Sequence, residues 1–179
     1  LSAFCFLIPM AQIHSLSNRL RSLLIISALF LLLAIPNLQV AAKRPPEIRN
    51  QEELNISQDM HAQDLSGYEF VKFDLKNINF SESDLRGAVF NNSKLNGSDL
   101  HGADMTDALA YATNFDGSNL SDVNLTNALL MESSFKDAKI TGADFTDAVL
   151  SRIQQKQLCS IADGTNSVTG VSTTYSLGC

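Results

Sequence analysis

The residues best placed to do chemistry are Asp64, Asp84, Asp104, Asn124 and Asp144, four carboxylates and an amide spaced by twenty. If the chain stacks every twenty residues, neighbouring carboxylates stand about 5 Å apart and repel by roughly 1 kcal/mol in water. Such a wall can recruit a divalent cation or serve an enzymatic reaction. The competing reading is structural, because Asp and Asn side chains bond nearby backbone at turns. The histidines beyond the first 42 residues, His61 and His101, are 40 positions apart. Neither has a cysteine or second histidine at ligand spacing, so both read as polar surface residues. No glycine-rich phosphate loop precedes a helix. Serines and aspartates recur through repetition, and no Ser/His/Asp set stands out. The triplets Asn79-Phe-Ser81 and Asn124-Leu-Thr126 also follow from repetition and are not read as glycosylation acceptors. No catalytic, cofactor-binding or metal-binding residue is assigned, and no cofactor is expected.

Residues 1–42 and the two later cysteines point to an expected compartment. Residues 1–42 hold two strong bases, Arg19 and Arg21, and no acid. An apolar run, Leu23 to Ile35, follows, and then the small residues of Val40-Ala41-Ala42. This order is that of a secretory signal peptide, with cleavage expected after Ala42; an uncleaved anchor is the alternative. The run is shorter than the ~20 residues that span a bilayer, so contact with a membrane is expected only through this segment before cleavage. Beyond it stand 11 bases and 19 acids, a net charge of −8. That argues against a nucleic-acid partner. Cys159 and Cys179 remain, and an even pair in an exported protein reads as a disulfide, with two free thiols as the alternative.

The elements that must position these residues repeat every five. From Leu65 to Leu150, every fifth residue is large and apolar except Ala110. Period five forms no stripe on a helix and alternates faces on a flat strand. Only a regularly turning chain points every fifth side chain inward. Two places before each centre, small residues dominate, among them Ala88, Ser93, Ala108 and Ala128. Two places after it, Gly, Asn and Asp mark corners that tolerate positive φ.

The units "ADMTD", "SNLSD", "VNLTN" and "ADFTD" closely resemble the A(D/N)Lxx units of pentapeptide-repeat proteins. The resemblance implies an all-β solenoid: a right-handed quadrilateral β-helix of about 18 pentapeptides, four to a coil. Four per coil also has support within the chain. The position before the centre is large and apolar only at Val89, Leu109, Leu129 and Val149, spaced by twenty. With Val71, Tyr111 and Met131, they form an outward apolar stripe on one wall, the candidate interface. The corner after this wall lacks turn formers at Lys72, Ala112, Glu132 and Arg152, so its turn type is expected to differ. Leu109-Ala110 has two readings. Leu109 points out and Ala110 in, which is favoured, or a local bulge turns Leu109 inward.

Four segments are expected: a signal peptide, 1–42; a linker and N-terminal cap, 43–62; the repeats, 63–152; and a helical, disulfide-bonded cap, 153–179. In the N-terminal cap, Leu54, Ile56 and Met60 are candidates to cover a first coil made atypical by Tyr68, Phe73 and Ile78. In the tail, Ser151 and Gln154 fit a capping box, Gly164 the helix stop, and Ile153, Leu158 and Ile161 an apolar side. The tail, "QLC…ADGTN…TGVST…SLGC", is similar to those of exported pentapeptide-repeat proteins of the cyanobacterial and plant thylakoid lumen. That likeness implies a helical, disulfide-bonded tail and an exported location, thylakoid lumen or periplasm.

A non-enzymatic scaffold or protein-binding module is expected. The apolar wall would meet a protein partner or the chain's own C-terminal tail. One alternative is a cation-binding or enzymatic role for the acidic wall. Another is DNA mimicry, by which some cytoplasmic family members bind gyrase; the signal segment disfavours it.

Overall fold

The computed structural model describes residues 58–179. The expected signal segment and most of the expected linker, with Leu54 and Ile56, lie outside the described residues.

A corner falls every five residues without interruption. From Ala62 to Asp147, each residue two places after a centre has positive φ, between 52° and 74°. At most corners the next residue closes a turn, as when the Ala88 N–H donates to the Leu85 carbonyl at 3.0 Å. A positive φ at the third turn residue is type II geometry, which favours Gly and Asn. Lys72, Ala112 and Glu132 nevertheless adopt φ of 63°, 52° and 63°. The positive φ is thus kept at these three positions, while the hydrogen bonding differs at Ala112, where the Thr113 N–H donates to Ser133 Oγ at 2.9 Å rather than to the Ala110 carbonyl. Neighbouring coils enforce the corner: the Lys72 and Ala112 N–H groups each donate one coil on, at 3.0 Å, to Asn91 and Met131. A ladder bond and the shared register outweigh a local cost of about 1 kcal/mol. Arg152 differs, because it opens a helix.

Four corners close one coil. Parallel bridges join residues twenty apart, from Asp59↔Asn79 to Leu129↔Val149. Centre N–H groups donate to the coil that follows (Leu85 to Asp104, 2.8 Å), and the preceding residues donate to the coil before (Asp84 to Gln63, 2.9 Å). Pairing takes the form of isolated bridges rather than long strands, because a five-residue side leaves room for one bridge between corners.

The centres fill the core. Phe70, Phe80, Phe90, Phe115 and Phe145 are fully buried among leucines. In-register coils stack like rings: Phe70 and Phe90 lie 5.0 Å apart, Phe115 and Phe135 5.3 Å, both nearly parallel. These gaps match the ~4.8 Å spacing of paired strands. Where the chain needs small inward residues it uses Ala, Ser or Thr, and the hydroxyls bond backbone: Thr113 donates to Phe90 at 2.7 Å. Phe73 and Ile78 are buried in the first coil, and Phe73 packs edge-on against Phe70. Large side chains there fill the end of the core.

After Leu150 the chain leaves the coil. Helix α1 spans Arg152–Cys159, with Ser151 and Gln154 forming the expected capping box. Its C-cap is Ser160, so Gly164 is not its stop. Gly164 is needed for close approach: at φ 82°, a Cβ there would lie 2.9 Å from the Gly142 nitrogen. The helix buries Gln154 and Leu158, whereas Ile153 and Ile161 are exposed, against the expected apolar side. A short helix α2, Thr173–Ser176, follows. The disulfide Cys159–Cys179 is formed, with Cα atoms 5.6 Å apart.

The tail closes the last coil. A coil end exposes unpaired backbone, which must find partners. Gln154 Nε2 donates to the carbonyls of Leu130 (2.7 Å) and Ser133 (2.9 Å). Asn166 Nδ2 donates to Asp122 (3.1 Å) and Gly142 (2.9 Å). Ser176 Oγ accepts from the Phe145 N–H at 3.0 Å, and the Asp163 carbonyl accepts from the Gly142 N–H at 2.8 Å.

Candidate functional site

The acidic column uses its polar atoms on its own turns. Asp64, Asp104, Asn124 and Asp144 each accept, through Oδ1, from the N–H and the hydroxyl of the residue two places on. Asp84 accepts from the Arg86 N–H and is bound by its guanidinium at 2.8 and 2.5 Å. Arg86 also reaches within 3.9 Å of Asp104 in the next coil. Its hydrogen bond holds the Asp84 carboxyl below the ordinary range, and the same contact pushes the Arg86 guanidinium up. The geometry is that of turn-capping residues. Among the described residues, no group of three or more His, Cys, Asp or Glu is arranged to hold a metal ion.

The histidines occupy comparable places. His61 Nδ1 lies 3.0 Å from Ser81 Oγ, while that hydroxyl donates to Asn79 at 2.6 Å. His101 Nδ1–H donates to the Ser121 carbonyl at 3.0 Å. Each ties one coil to the next.

The apolar wall is a surface. Val89, Leu109, Leu129 and Val149 are joined by successive parallel bridges, headed by Glu69. Two places on, Val71, Tyr111 and Met131 stand in a second column of the same register. Val89 is half-buried, and the other six residues are 36–44% exposed with the tail in place. Leu109 points outward and Ala110 is fully buried. No residue is gained at this point: the Leu109 N–H bonds Ala88 and the Ala110 N–H bonds Leu129, each at 2.9 Å.

The tail does not cover this wall, contrary to the expectation that the C-terminal segment is one of its occupants. Open backbone at the coil end demands hydrogen-bond partners, and the tail's amides and hydroxyls meet that demand. Exposed apolar side chains make no such directional demand.

Charges that sequence reasoning passed over border the wall. Asp107 and Asp147 occupy the corner before it, and Glu132 the corner after Met131; all three are exposed. Glu132 hydrogen-bonds the Tyr111 phenol and pushes it above its ordinary value. The sequence signal was their place two before Leu109 and Val149 and one after Met131. Asn166 and the end-capping role of Gln154 were missed too, because nothing local marks a side chain whose partners lie over twenty residues away.

The model of the pentapeptide repeats family matches residues 74–109 and 112–152, in eight copies. A pentapeptide repeat protein from the Arabidopsis thaliana thylakoid lumen, known from its crystal structure, is 42% identical, covering 66% of this chain and 90% of that one, with a TM-score of 0.27. A pentapeptide repeat protein from Nostoc is 23% identical over 53% of this chain and 76% of its own, with a TM-score of 0.40. QnrB1, a plasmid-mediated fluoroquinolone resistance protein, is 20% identical over 52% and 75%, with a TM-score of 0.25. No curated protein matches the chain. With its unbroken five-residue beat and this identity across nine-tenths of the Arabidopsis protein, the chain belongs to the pentapeptide-repeat family.

Proposed function

We propose that the protein is a non-enzymatic, exported binding module whose apolar wall, Val71, Val89, Leu109, Tyr111, Leu129, Met131 and Val149, engages a protein partner. The observation carrying this reading is the exposure of six of these seven residues, with Asn91 between Val71 and Tyr111 and the tail docked at the coil end. Contiguous exposed apolar surface usually marks an interaction site. The acidic column's commitment to its turns supports a role without catalysis.

The winding we assign is a right-handed, four-sided β-helix of about 18 pentapeptides, supported by the twenty-residue bridges and the family. The segments we assign are 1–42 signal peptide, 43–62 linker and cap, 63–152 repeats and 153–179 C-terminal cap. Export to a thylakoid lumen or periplasm is supported by the basic, apolar and small-residue order of the first segment and by the origin of the Arabidopsis relative. No described helix is long and apolar enough to cross a membrane.

Affinity capture from the native exported compartment, with mass-spectrometric identification, tests the reading. A Leu109→Ser/Leu129→Ser double variant should lose the captured partner at an unchanged melting temperature. Unchanged capture with lowered melting would make the stripe internal packing and sink the reading.

A further inference from the structure

We infer that the apolar wall seats a cationic amphipathic helix of a partner protein, laid along the stacking direction of the coils. This rests on the wall being a protein-binding surface and names the shape and charge of what binds there. Five rungs at ~4.8 Å place Glu69 and Val149 about 19 Å apart. The three residue steps from the Leu109 column to the following corner span about 10 Å. The wall's flat footprint is thus on the order of 200 Å², the width of one secondary-structure element rather than of the ~800 Å² face that a folded domain presents. A single helix is 10–12 Å across, and about 13 residues cover the length at a rise of ~1.5 Å per residue. Its apolar positions i, i+3, i+4 and i+7 recur every ~5.4 Å, close to the rung spacing, so they meet the wall's side chains over several turns.

Charge selects the helix. Asp107 and Asp147 border the wall on one side and Glu132 on the other, with Glu69 heading the apolar column. Lys72 and Arg152 stand at the two ends of the following corner, which leaves the carboxylates to dominate beside Leu109, Leu129 and Met131. Lysines flanking an apolar helix face would lay their aliphatic stems on the wall and bring their ammonium groups to both rims.

Fluorescence anisotropy on the full chain tests this with three labelled 15-residue peptides. One has leucines at i, i+3, i+4 and i+7 with flanking lysines, one has the same leucines with flanking glutamates, and one is a scramble of the first. The lysine peptide should bind saturably, and the other two at least about tenfold more weakly. Leu109→Ser/Leu129→Ser should weaken it about tenfold or more. Asp107→Asn/Glu132→Gln/Asp147→Asn should weaken it several-fold and flatten its salt dependence. All five positions are exposed, so circular dichroism should report folded protein throughout. Equal binding of the lysine and glutamate peptides, equal binding of the scramble, insensitivity to both variants, or no saturation overturns the inference. Sedimentation showing a dimer that Leu109→Ser/Leu129→Ser abolishes would give the wall to a second copy and also overturn it. Partner capture that depends on Leu109 and Leu129, with no peptide binding, would sink the helix and leave the protein-binding reading standing.

Discussion

The side-chain amide of Gln154 donates to the Leu130 carbonyl at 2.7 Å, in the place where a further repeat would put a hydroxyl. In the three preceding coils Ser93, Thr113 and Ser133 donate to Phe70, Phe90 and Ala110. Gln154 thus continues the series of side-chain bonds by one step while belonging to α1 and its capping box. One residue ends the repeat and starts the cap.

Replacing it should expose the weakness of a coil end. Gln154→Ala removes the amide donor from the Ser133 carbonyl, leaves the Leu130 carbonyl with the Ser133 N–H, and breaks the capping box, a loss of about 1–3 kcal/mol. The urea unfolding midpoint reads this directly. A loss under about 0.5 kcal/mol would mean that water replaces the amide.

Ala112 occupies a corner at φ 52°, where a side chain costs about 1 kcal/mol relative to residues that tolerate the left-handed region. Ala112→Asn should raise stability by about 0.5–1 kcal/mol, and Ala112→Val should lower it. Equal melting of all three proteins would show that the coil relaxes around this corner.

The Asp84–Arg86 pair has a defined pH sign. Its hydrogen bond to Arg86 puts the Asp84 carboxyl in the folded protein below its ordinary 3.8. The stabilisation is therefore present above the unfolded value and disappears as pH falls through the lower folded one. Arg86→Gln should move the Asp84 titration, followed by NMR, upward toward 3.8. The pair is exposed, so the effect on melting should be slight. An unmoved titration would assign the shift to the turn N–H alone.

The disulfide joins the end of α1 to the last residue, across a sequence separation of 20. Cys159→Ser/Cys179→Ser should cost about 3 kcal/mol in the chain-entropy account. Hydrogen exchange should locate the loss. The Phe145 and Gly142 amides, bonded to Ser176 and Asp163, should lose protection first, while Leu85, bonded to Asp104, keeps it. Uniform loss would mean that the cap and coils unfold as one unit.

The amino-acid sequence by itself determined the beat, the coil length and the wall. A side chain that must point inward every fifth residue leaves the backbone few options, and outward exceptions spaced by twenty show which sides stack. That is why the sequence favours Leu109 outside and Ala110 inside over a local bulge. Tertiary structure alone decided the rest. Lys72, Ala112 and Glu132 take up a corner their own preferences oppose, because the coils above and below fix the register. The tail settled on the coil end rather than on the apolar wall. The carbonyls of Leu130, Ser133 and Gly142 take donors in fixed directions at the coil end, and Gln154 and Asn166 reach them from over twenty residues away. Periodicity records what every coil shares; how the last coil is closed depends on side chains that occur once.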